Sequence, residues 1–149
     1  MDADIASYLD KVKQRRSELG QSMAELQEVI DEPVGDAEHW RDVARAAAAD
    51  VRRDLDEHIA VTEANGGLYD SLRAEAARLA GPLRHLQGEH PDLVALADEL
   101  IAVLDRPAAA DRADAPELVK KLLRRLSHHR RRGADLVFEA YQVDVGGTG

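Results

Sequence analysis

A chain of 149 residues without cysteine lies in the size range of one domain and excludes disulfide scaffolds, thiol catalysis and cysteine-ligated zinc or iron–sulfur sites. Aromatic residues make up only 3%, so the core must come from leucine, alanine and valine, a set that suits packed helices better than a β-sandwich. The balance of 29 acidic against 20 basic side chains, net −9, works against general attraction to nucleic acid or anionic lipid.

In chain order, Ile5, Leu9, Val12, Leu19, Met23, Leu26 and Ile30 recur at helical spacings, with Arg16 in the one gap, and predict a first helix over residues 4–30. Pro33 and Gly35 end it. A second helix begins near Asp36, carries Trp40, Ala44, Ala47, Val51, Leu55, His58 and Thr62 on one face, and stops at Asn65-Gly66-Gly67. The next apolar series is continuous from Leu68 to Leu104, but proline pushes its preceding residue out of the α region. Gly81-Pro82 therefore predicts a break, with a short crossing helix over 68–80 and a long helix over 82–104 that has Pro82 in its first turn.

Residues 106–116, rich in Ala, Asp and Pro, read as an exposed connector. A last helix is expected to start at about Asp114 to Pro116 and to run to about Tyr141, with Leu122, Leu126, His129, Gly133 and Leu136 on its stripe, and a tail over 142–149. The expected fold is all-α, an up-and-down four-helix bundle with a short connecting helix, as one domain over 1–149. No apolar run approaches membrane-spanning length and the first residues are acidic, so the expectation is a cytoplasmic protein without membrane association.

His58, His90 and His129 each fall on the stripe of a different helix, whereas His39, His85 and His128 sit beside one. At the helical rise, His58 lies about 9 Å from the end of its helix and His90 about 12 Å into a helix starting at Pro82. From the other end, His90 is roughly 21 Å before Leu104 and His129 roughly 20 Å after Pro116. The three share a level if the chain turns near Gly81-Pro82. Three imidazoles can hold one zinc or iron ion, with water or a carboxylate completing the sphere, or they can form a hydrogen-bonded cluster without metal. Glu63 and Glu89 are the candidate carboxylates, and Asp54, one turn before His58, is a candidate to orient its ring. Asp135 and Glu139 are poorly placed relative to His129, and a His85–Glu89 pair reads first as a surface feature.

The stretches Leu55-Asp56-Glu57-His58-Ile59-Ala60-Val61-Thr62-Glu63, Gly88-Glu89-His90-Pro91-Asp92-Leu93 and Leu126-Ser127-His128-His129-Arg130 resemble a hemerythrin-like, or HHE cation-binding, domain. The resemblance implies an up-and-down bundle with a non-haem di-iron centre, several histidine ligands and two bridging carboxylates. It also implies a role in binding O2 or in oxygen, iron, redox or nitric-oxide sensing and handling. By that resemblance His58, Glu63, His90 and His129 are the metal residues. The sequence departs from the pattern in three places: Thr62 stands where the second-helix carboxylate is usual, Gly133 and Ala134 where the fourth-helix one is, and residues 5–30 contain no histidine. A single iron, or zinc, or a family member without iron is therefore as consistent with the residues as a di-iron centre.

The main alternative is a metal-free bundle that works by protein contact, for instance as a homodimer. Tyr8, Trp40, Tyr69, Phe138 and Tyr141 are its candidate anchors, although Trp40 and Phe138 read first as core. The basic run between Lys120 and Arg132 is interrupted by leucines and reads as a solvated helix face before a nucleic-acid surface. No residue pattern identifies a substrate or a nucleophile, so enzymatic activity is left open.

Overall fold

The computed structural model describes residues 3–32, 35–106 and 114–148, with side chains described over 9–32, 35–106 and 114–140. Pro33, most of the Ala-Asp-Pro connector and the side chains of Tyr8 and Tyr141 lie outside those residues. The helices are α1 (Ala3–Asp31), α2 (Ala37–Glu63), α3 (Leu68–Glu75), α4 (Ala80–Leu104) and α5 (Asp114–Thr148), with a 3-10 turn at Ala77–Leu79 between α3 and α4. Four long helices and one short crossing helix make the expected all-α bundle, without strands among the described residues.

Local chemistry sets most of the boundaries. The Asp36 side chain caps α2 by accepting from the Glu38 amide at 3.1 Å, and Glu38 adds a favourable negative charge to the first turn. Trp40, at the start of α2, donates its indole N–H to the Val29 carbonyl near the end of α1 at 3.0 Å and so fastens this helical hairpin. Gly66, at φ +72°, supplies the left-handed residue of the turn into α3.

Two boundaries differ from expectation. The break before α4 falls at Ala76, whose extended backbone (φ −142°, ψ 87°) precedes the 3-10 turn, so Gly81 and Pro82 lie inside the first turn of α4. The first-turn amides of a helix have no intrahelical acceptor, and a proline there forfeits no bond. At the other end, α5 continues to Thr148 in place of the tail expected from residue 142. Pro91 stands inside α4, where its missing N–H leaves the Gln87 carbonyl without the usual donor four residues on.

The core is in two parts. The larger cluster contains Leu19 and Leu26 of α1, Val51 and Leu55 of α2, Leu93 and Leu100 of α4 and Leu122 and Leu126 of α5. The smaller one joins Leu68, Tyr69 and Leu72 of α3 to Leu83 and Leu86 of α4, with Leu9, Val12 and Leu136 against it. Each fully buried leucine contributes about 1.5–3 kcal/mol of transfer free energy. On α4 and α5 the change from one cluster to the other occurs at His90 and His129, and on α1 at Arg16, between Val12 and Leu19. The bundle is thus apolar above and below a polar layer at that level, apart from the buried Ser22–Asp54 pair between α1 and α2.

Candidate metal centre

That layer brings together the three histidines that the spacing of the stripes placed at one level. His58, His90 and His129 are 8%, 1% and 2% exposed, a burial at which most polar ring nitrogens need partners. The Nε2 atoms converge: His129 Nε2 lies 3.3 Å from that of His58 and 3.1 Å from that of His90. The rings meet edge to face, with centroids 4.8 to 5.4 Å apart and interplanar angles of 61° to 83°.

The opposite ring nitrogens explain why Nε2 points inward. His90 Nδ1 is hydrogen-bonded to the Glu63 carboxylate, and His129 Nδ1 to Glu89 at 2.9 Å. A carboxylate only accepts, so each Nδ1 carries the proton and each Nε2 presents a lone pair to the centre. The carboxylates are themselves held, Glu63 by Gln87 Nε2 at 3.1 Å and Glu89 by the Arg132 guanidinium. Arg73 completes the first chain by donating to Gln87 Oε1 at 2.9 Å. Glu63 therefore stands behind His90, outside the group of three histidines whose ligand atoms all lie within 4.8 Å of one another.

Other candidates are placed elsewhere. Asp54 does not reach His58; it accepts from Ser22 and from Arg53, and His58 Nδ1 is buried with no hydrogen-bond partner. Asp54 also belongs to a second acidic group with Glu18 and Glu57, which Arg15 and Arg53 offset through ion pairs. Asp135, Glu139 and His85 are exposed. Of the basic run, His129 and Arg130 turn inward, Arg132 serves Glu89 and Lys120 pairs with Glu117, which divides its charge among faces.

The residue that sequence reasoning missed is Tyr69, named there as a surface anchor. It is 4% exposed and stacks on His90 at 5.9 Å between centroids, with its hydroxyl 3.4 Å from His90 Nε2. Its position just after the Gly66-Gly67 turn was the available signal, because that turn follows the helix end nearest His58. Phe138, read as core, is 65% exposed.

Burial also sets the protonation of the centre. It lowers His58 to about 3, helped by the charges of His129, His90, Arg130 and Arg16, and lowers His129 to about 4. It lowers His90 as well, against the opposing pull of Glu63. Burial raises Tyr69 to about 12, so the phenol keeps its proton. The result at neutral pH is three uncharged imidazoles, the form in which histidine binds metals.

The donor set can be tested against an ion. Metal–imidazole bonds of about 2.0–2.1 Å place adjacent ligand nitrogens of a tetrahedral or octahedral ion about 2.9–3.4 Å apart. The observed 3.1 and 3.3 Å match, and the hydrogen-bonded carboxylates supply the outer partners such ligands usually have. A second ion fits poorly. Thr62, Gly133 and Ala134 provide no carboxylate beside the centre, and at this level α1 contributes Arg16, whose charge opposes another cation.

Bundle and centre together define a helical protein with a histidine site suited to a non-haem metal. The family described as Hemerythrin HHE cation binding domain matches residues 18–141, most of the chain, and the protein belongs to that family. Neither the comparison with curated proteins nor that with solved structures returns a match.

Proposed function

We propose that this domain binds one non-haem metal ion through His58, His90 and His129, with Glu63 and Glu89 acting on the ligand rings and not on the ion. The observation that carries the reading is the convergence of three Nε2 atoms at 3.1 and 3.3 Å while two Nδ1 atoms are fixed by carboxylates. Without a cation, the lone pairs of His90 and His129 face each other at 3.1 Å, and among the described residues only His58 and Tyr69 are placed to supply protons between them.

Iron is the ion proposed, on the strength of the family; zinc is the competing ion, because imidazole donors suit both. Three protein ligands leave positions open, so bound iron would supply a redox-active centre accessible to a small ligand such as O2. The role proposed is iron, oxygen or redox sensing or handling. Metal analysis of untagged protein should find one ion per chain, lost in the His58, His90 and His129 triple-alanine variant. Two ions per chain, or retention by that variant, would reject the assignment.

The second reading, a metal-free bundle acting through protein contact, draws on the exposed Phe138. It predicts metal-free protein and self-association that disappears in Phe138→Ser.

A further inference from the structure

A cavity of about 260 Å³ reaches the histidine layer, walled by all five helices, with His58, Thr62, Tyr69 and His129 on its inner side. Its interior is apolar, with Val12, Leu72, Leu83, Leu86 and Val137 among its walls, and Phe138 also lines it. Phe138 leaves a large aromatic surface in water although it adjoins an apolar space. In a chain with 29 acidic side chains against 20 basic ones, this cavity is lined by Lys13, Arg16 and Arg130 and by no Asp or Glu among the described residues.

Arg130 occupies a built seat. Its Nη2 donates to the Arg16 carbonyl at 3.2 Å, its Nη1 lies 3.9 Å from Met23 Sδ, and its Nε is buried without a partner. The guanidinium lies against Gly20, where an added Cβ would come within 2.8 Å of Nη2. Among the described residues no acidic side chain pairs with it. Two neighbouring arginines that repel each other beside an apolar space form a site whose charge an anion would complete.

We propose that this cavity binds a medium-chain aliphatic carboxylate, its head held by Arg16 and Arg130 and its tail against Leu72, Leu83 and Val137. The volume accommodates roughly eight or nine groups of water size, at about 30 Å³ each, which matches a chain of octanoate length. Charge complementarity selects the head and the apolar walls select the tail. His58 and His129 share the cavity wall, but the anchors proposed for the head are the arginines, so binding is expected without metal.

Calorimetric titration of the chelator-treated full chain with octanoate tests this. One-to-one binding is expected, with octanol and octylammonium weaker by about tenfold or more. Arg130→Met and, separately, Arg16→Met should each weaken octanoate by about tenfold with unchanged helical circular dichroism; Arg16→Met is the safeguard if loss of Arg130 unfolds the bundle. Val137→Trp should block the site by filling it. The proposal is overturned if octanoate does not bind the folded chain, if octanol binds equally, or if both arginine variants bind normally. Binding confined to the iron-loaded protein would also overturn it, since the metal would then hold the carboxylate. So would a dimer, dissociated by Phe138→Ser, that leaves octanoate unbound. Failure of the metal assignment appears instead as absent metal with octanoate binding intact.

Discussion

Glu89 accepts the Nδ1 proton of His129 at 2.9 Å while the adjacent residue, His90, sends its own Nδ1 proton across to Glu63 on α2. Neighbours on α4 thus serve two different imidazoles, and the centre is tied together across α2, α4 and α5. Removing such outer carboxylates typically costs metal affinity about 10–100-fold. Glu89→Gln and Glu63→Gln should each weaken metal binding within that range in a chelator competition titration while retaining one site per chain. Complete loss of binding would instead mark the carboxylate as a direct ligand.

Metal loading should also stabilise the fold, because the unfolded chain does not present the three nitrogens together. At a free metal concentration 100 times Kd, the gain is about 2.7 kcal/mol. Urea denaturation with and without metal should show it, and the His58, His90 and His129 triple-alanine variant should show none.

The metal-free protein should lose stability in mild acid. Burial lowers His58 to about 3 and His129 to about 4 from an ordinary 6.5, so between those values and 6.5 the unfolded chain binds protons that the folded chain refuses. The contribution to stability is therefore full above pH 6.5 and declines as pH falls through the window toward 4 and then 3. Each histidine adds a slope of about 1.4 kcal/mol per pH unit inside its window. Denaturation midpoints at pH 7.5, 5.5 and 4.5 should fall in that order, and His58→Leu should flatten the dependence.

Gly67 caps α3 where a Cβ would meet the Ala64 carbonyl oxygen at 2.8 Å and that of Val61 at 3.2 Å. These are backbone atoms that cannot swing aside. Gly67→Ala should destabilise the protein by about 1–3 kcal/mol in thermal or urea unfolding. By shifting α3 it should also disturb the packing of Tyr69 on His90. Gly20→Ala, which meets only the flexible end of Arg130, should cost far less because the added helix propensity of about 1 kcal/mol offsets the displaced guanidinium.

Periodicity alone located the helices and put His58, His90 and His129 on buried stripes, because a residue's face in a helix follows from its position in the chain. Even their shared level could be computed, since helical rise is constant and short connections bring helix ends together. The exact break was less legible: proline in a first turn is compatible with a helix starting at Pro82 or a little before it, and contacts of Ala76 and Leu79 decided for the earlier start. Direction across the bundle was not legible at all. Whether Glu63 faces the ion or the back of His90, whether Asp54 reaches His58 or Ser22, and whether Tyr69 is a surface anchor or a histidine partner depend on helix rotation and side-chain packing between elements distant in sequence. Arg16 was visible as the gap in the first stripe, but only the tertiary structure showed that the gap lies at the histidine layer, where an apolar side chain would adjoin a polar centre and a cation instead faces a cavity. The sequence by itself determined a helical bundle with three histidines at one height; packing decided which of their nitrogens turn inward.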